Sequence, residues 1–204
     1  MMLGSRKTLG VLAALLFSFS IIGCGGSSSH KSSSSPASAT TGATAPAAAS
    51  TVGADAYVSA VCTAVIPFEK DVQQRSGALD LSAGTSPAEG KRALQSFMSA
   101  AVSDAGHAVT QLQAAGAPSV ANGKAVAGAI LSAFTQLKTV LAKAAADTAQ
   151  LPTSSPAAFK SAADAISTSV KTSVGAIGGS LSGLKSPELE KAAKSAPSCK
   201  SLGS

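Results

Sequence analysis

Three Ser-Pro dipeptides, Ser86-Pro87, Ser155-Pro156 and Ser186-Pro187, each stand just ahead of apolar residues spaced three and four apart, and this punctuation constrains the fold more than any other feature. A serine hydroxyl can accept from the free N–H groups of a helix's first turn. Proline suits the first helical position, where its missing N–H has no partner to lose. Glu89, three residues after Ser86, completes a capping-box pattern.

The stripes between these marks read as long helices. On the first, Val58, Val61, Val65, Phe68 and Val72 share a face, and Pro67 is expected to kink the helix or weaken its ladder near Thr63. Gly77 to Thr85 reads as a loop. The second stripe is Leu94, Met98, Ala101, Ala105, Val109 and Leu112, ended by Gly116 and Pro118. Ser119 is the predicted cap of the third, whose stripe is Val126, Ile130, Ala133, Leu137, Val140 and Ala144, with Phe134 and Leu141 beside it and Pro152 closing it. The fourth runs Phe159, Ala163, Ile166, Val170, Val174, Ile177, Leu181 and Leu184, nearly a strict heptad, which marks near-parallel helix packing. Gly175, Gly178, Gly179 and Gly183 weaken its second half, and close helix approach or fraying is favoured over a hinge. A short fifth helix runs from Ser186-Pro187-Glu188 to about Ser195. No strand pattern of useful length occurs. Aromatics are only 3% and Trp is absent, so the core must be built from small side chains, which suits helices lying side by side. The expected fold is all-α: an up-down helical bundle of four main helices plus a short C-terminal helix over residues 54–204.

The N-terminal segment has a different logic. Arg6 and Lys7 precede an apolar run from Leu9 to Ile22. That run is too short to span roughly 30 Å of hydrocarbon and fits a signal peptide, residues 1–23. It ends in Ile21-Ile22-Gly23-Cys24, which looks like a bacterial lipobox. The Cys24 thiol is the atom that would accept a diacylglyceryl group, and small Gly23 lets a peptidase reach the bond before it. The competing reading is an ordinary secretory leader or an uncleaved helix with a chance cysteine. Residues 24–53 would then be the lipidated cysteine and a tether of Ser, Gly, Ala, Thr and Pro. Such a composition cannot bury enough apolar surface to offset its ordering entropy, so disorder is expected. Its mean span would be roughly 30 Å. His30 lies in it and has no evident role.

Charge and chemistry exclude more than they suggest. The formal charge is +6. Arg6 and Lys7 would leave with the leader, so about +4 remains. The basic residues are scattered, with Lys91-Arg92 the one doublet in the folded part, which does not suit nucleic acid. His107 is the sole histidine after the tether, no cluster has metal-ligand spacing, and no motif marks a nucleophilic serine. Glu69 and Asp71 do not face each other on a helix. No catalytic residue, metal or cofactor is expected. Cys62 and Cys199 remain after Cys24, and an exported chain would pair them; the alternative is two free thiols. Cys62 is expected at the border of the core, one step off its stripe. The bridge would close a loop of well over 100 residues, for roughly 4–5 kcal/mol in the chain-entropy picture.

Tyr57-Val58-Ser59-Ala60-Val61-Cys62, the break at Pro67, and Cys199-Lys200-Ser201-Leu202 resemble a group of small exported lipoproteins of actinobacteria. The resemblance covers residues from about 54 to 204. It implies an Ala-rich, oxidised helical bundle on a cell surface, and it carries no activity.

The expected role is a lipid-anchored, non-enzymatic interaction or structural module on the extracytoplasmic face of the cell membrane. Its expected partners are the membrane through Cys24 and an unidentified protein. The alternative is a carrier that holds a lipid or small apolar ligand between its helices, lined by Phe68, Phe97, Met98, Phe134 and Phe159.

Overall fold

The computed structural model describes residues 51–79 and 85–200. The expected signal segment, Cys24, His30 and most of the expected tether lie outside them. The chain is mostly helical. Its elements are β1 (Thr51–Val52), α1 (Ala54–Gly77), α2 (Pro87–Ala114), β2 (Ala117–Pro118), α3 (Gly123–Ala149), α4 (Pro156–Leu181) and α5 (Pro187–Ser195), followed by a 3-10 turn, Pro197–Cys199.

The Ser-Pro marks do what their chemistry implies. At α2 the Ser86 hydroxyl oxygen accepts from the Glu89 N–H at 3.3 Å. The Glu89 carboxylate in turn accepts from the Ser86 hydroxyl at 2.7 Å and from its backbone N–H at 3.1 Å. These two bonds, the hydroxyl's first, hold the Glu89 carboxyl below the usual carboxylate range. Ser155 and Ser186 cap α4 and α5 by accepting from Ala158 and Leu189. Gly116, at φ 72°, ends the α2 segment in the left-handed region that glycine enters freely.

The start of α3 differs from expectation. Ser119 does not cap it. A short parallel pairing sets Thr51 against Ala117 and Val52 against Pro118, and the Ser119 N–H donates to the Val52 carbonyl at 2.7 Å. The chain then turns through Asn122, at φ 60°, and α3 begins at Gly123 without a side-chain cap. This pairing also makes Thr51 and Val52 part of the folded domain, three residues earlier than the helical spacing announces.

α1 runs through Pro67 without breaking. Proline has no N–H for the Thr63 carbonyl. Both residues are exposed, so water can serve that carbonyl, while Ala64 and Phe68 on either side are buried. Packing thus overrides a local defect.

The buried side of α1 is Tyr57, Val58, Cys62, Ala64 and Phe68, and Val61, Val65 and Val72 stay half-buried. α1 is covered from two directions, by α2 on one side and by α5 with the 3-10 turn on the other. The valine stripe falls between them. Two apolar clusters result. One gathers Tyr57, Val58 and Cys62 with Ala115, Val126, Leu189, Ala192 and Ala196. The other joins Phe68, Ala101, Ala105 and Leu141. Phe68 meets Phe134 edge to face, with ring centroids 6.2 Å apart. Ala105 is 0% exposed. A methyl side chain at such a seam lets two helix axes draw close.

α4 stands apart. Its extensive contact is with α3 alone, none of its residues is buried, and neither cluster contains one of them. Its three late glycines and Gly183 just after it are not sites of close approach: a Cβ placed at Gly175, Gly178, Gly179 or Gly183 meets nothing within 4 Å. The three inside the helix therefore lower its stability with no packing in return.

The glycines give a paired test. A Cβ at Gly123 would overlap the Pro118 carbonyl oxygen. Gly123→Ala is expected to destabilise the domain by about 3 kcal/mol, the upper part of the ordinary single-substitution range. Gly178→Ala, in open space, should stabilise it by about 0.5–1 kcal/mol. Urea unfolding followed by far-UV circular dichroism measures both. Equal effects of one sign would contradict this reading of the two positions.

Candidate functional site

The best-defined site in the described residues is a covalent one. Cys62 lies in the middle of α1, held on the buried side between Val58 and Ala64, and is 4% exposed. It belongs to the core, not to its border as the valine stripe suggests, because α5 and the tail close over that side of α1. Pro197 stops α5 from continuing and turns the chain back. This return brings the Cys199 sulfur to bonding distance of the Cys62 sulfur, with Cα atoms 5.2 Å apart. Beside them the Ser198 hydroxyl donates to the Ser59 hydroxyl at 3.2 Å. Tyr57 packs in the same cluster, and burial pushes its phenol pKa up.

The remaining titratable groups do not converge. His107 is exposed on α2. Burial raises the Glu69 carboxyl, which accepts from the Gln73 amide at 3.2 Å and has no catalytic neighbour in Asp71. Asp104 is half-buried, and its Oδ2 is enclosed with no hydrogen-bond partner among the described residues. No group of three or more His, Cys, Asp or Glu residues capable of holding a metal occurs among the described residues. Lys91 is committed to structure: its Nζ donates to the Leu151 carbonyl at 3.1 Å, closing the turn after α3.

The five residues expected to line an apolar pocket are not brought together. Phe68 and Phe134 are spent on each other, and Met98 is buried on α2. Phe97 and Phe159 are half-buried on α2 and α4. The open space lies elsewhere, along the seam of α3 and α4. A pocket of about 40 Å³ sits among Val140, Ala144, Ile166 and Val170. A wider groove of about 360 Å³ follows it, lined by Asp147, Gln150, Leu151, Ala162, Ile166 and Ser169. No phenylalanine borders either one. The heptad of α4 marked the seam in the sequence, but nothing there showed that the seam would be left partly open.

The bridge generates a thermal test. Reducing the isolated protein should lower its melting temperature by about 10 °C, corresponding to roughly 3 kcal/mol in a domain of this size. Cys62→Ala and Cys199→Ala should each reproduce the loss, and the double variant should be no worse than either. Titration of unfolded, unreduced protein settles the bond: two reactive thiols from these positions would refute it. No family model matches the chain, and no curated protein or solved structure is significantly similar to it.

Proposed function

We propose that the chain is a bacterial lipoprotein, exported by residues 1–23, cleaved before Cys24 and held by lipid on the extracytoplasmic face of the cell membrane. The observation that carries this reading is the sequence Ile21-Ile22-Gly23-Cys24 at the end of a short apolar run and directly before Gly25-Gly26-Ser27. Cys62 and Cys199 at bonding distance add support, because disulfides persist in oxidising compartments outside the cytosol. The up-down order of the four main helices belongs to the same reading, as does kinship with small actinobacterial lipoproteins.

On this reading the helical domain is a non-enzymatic interaction or structural module, presented to the cell surface by its tether. The scatter of its titratable side chains supports a role without catalysis, and its dispersed lysines do not suit nucleic acid. A second reading, a carrier for a small apolar ligand, draws on the open groove at the α3–α4 seam. Native mass spectrometry of protein taken from its host discriminates the two: a co-purifying lipid favours the carrier.

The anchor is tested by metabolic labelling with a fatty acid. The wild-type protein should label and fractionate with membranes. Cys24→Ser should lose the label and either leave the membrane or accumulate uncleaved. Equal labelling and equal fractionation of the two would end the lipoprotein reading.

A further inference from the structure

α5 and the 3-10 turn after it are fastened to the molecule on one side. Both have their extensive contact with α1 alone. The buried apolar side chains of this segment are one leucine and two alanines, Leu189, Ala192 and Ala196. The turn adds a hydrogen bond from the Ser198 hydroxyl to the Ser59 hydroxyl at 3.2 Å, and it carries the Cys199 sulfur at bonding distance of Cys62. Upstream, α4 ends at Leu181, and the link to Pro187 passes through exposed Ser182, Gly183 and Lys185. A helix of nine residues does not hold itself in water, and so little apolar burial does not offset its ordering. The bond to Cys62 is what keeps it in place.

The longer helices do not depend on α5 in the same way. The cluster of Phe68, Ala101, Ala105 and Leu141 contains no residue of it. In the other cluster, Tyr57 and Val58 still have Ala115 and Val126, with Val52, Val120 and Ile130 packed at the edge. α1 has 24 residues and packs on α2, so it keeps its helix without α5. The two halves of the bridge also differ in access. Cys62 is 4% exposed, whereas Cys199 is half-buried. Thiol–disulfide exchange requires a thiolate to reach one of the two sulfurs, and Cys199 lies on the open side.

We propose that the Cys62–Cys199 bridge is a reduction-sensitive latch: an external dithiol opens it, α5 and the turn leave α1, and α1, α2, α3 and α4 stay folded with Cys62 uncovered. The inference rests on the bond between the two cysteines and is independent of the lipid at Cys24. One thiolate of the dithiol attacks the Cys199 sulfur. The bond to Cys62 breaks, and its electron pair leaves on the Cys62 sulfur, which takes a proton. The second thiolate of the reductant then attacks the reductant's own sulfur in the mixed disulfide and displaces Cys199, which takes a proton in turn. The reductant leaves as a disulfide, oxidised by two electrons, and the protein carries two thiols. With the covalent hold gone, the segment from Pro187 to Cys199 keeps only the burial of Leu189, Ala192 and Ala196, and it opens as a unit of lower stability than the rest.

Hydrogen exchange of the full chain, followed by mass spectrometry with and without a small dithiol, tests the latch. After reduction the backbone amides of α5 should exchange within about tenfold of an unstructured chain. Those in the middle of α2 and α3, around Ala105 and Ala133, should stay more than about a hundredfold slower than the α5 amides. α5 amides as slow as the core after reduction overturn the proposal. So does exchange of α5 and core together, which makes the bridge a support of the whole domain. Cys199→Ser supplies a second measurement, because it leaves Cys62 as a free thiol. In that variant α5 should be open without reductant, and native Cys62 should react with a bulky maleimide within about tenfold of its rate in unfolded protein. A Cys62 that stays protected overturns the latch, as does loss of the helical far-UV spectrum. The bond itself is read by mapping the alkylated thiols of unfolded, unreduced protein. Label on both Cys62 and Cys199 defeats the latch and leaves the anchor at Cys24 untouched.

Discussion

The junction of Cys62 and Cys199 holds the tail after α5 to the first helix, and the position of α5 depends on it. The helix has only nine residues, too few to be stable in water by itself. It persists because Leu189, Ala192 and Ala196 enter the cluster around Tyr57 and Val58 while the tail is fixed to Cys62. The cluster in turn reaches Ala115 and Val126, so the end of the α2 segment and the start of α3 are organised around the same point. The β1–β2 pairing closes over this end, with Val52 packed against the cluster.

Away from that junction the domain relies on small side chains. Ala101 and Ala105 sit at the seam where Phe68 and Leu141 meet, so the large groups come from α1 and α3 and the room for them from α2. α2 packs extensively on both neighbours, whereas α4 packs extensively on α3 alone. In a closed ring of four helices the fourth would lie against the first. Here Val61, Val65 and Val72 of α1 and the whole stripe of α4 stop at half-burial, the pattern expected where such a ring stays open. The open space lies along the α3–α4 seam.

The described residues bring no group of titratable side chains together, so the proposed role rests on surfaces and on the proposed anchor. The proposed lipid at Cys24 would hold the domain near the membrane within the reach of its tether.

Local chemistry was legible in the residues. Ser86 with Glu89, Ser155 and Ser186 specified helix starts because capping involves side chains within three positions of the backbone groups they satisfy. The pairing of Cys62 with Cys199 was legible from counting. Ser119 misled because its N–H is used by Val52, a partner 67 residues away that no local pattern reveals. Cys62 misled because one helix face was assumed where two directions of cover exist. Of the two readings of the late glycines, close approach fails, because only the neighbouring backbones decide whether anything approaches. The sequence by itself determined the helices and most of their caps, since each rests on groups a few residues apart. The tertiary structure alone decided which faces were covered, that Cys62 is buried, and that α4 is left at the edge, because burial depends on what the distant parts of the chain bring alongside.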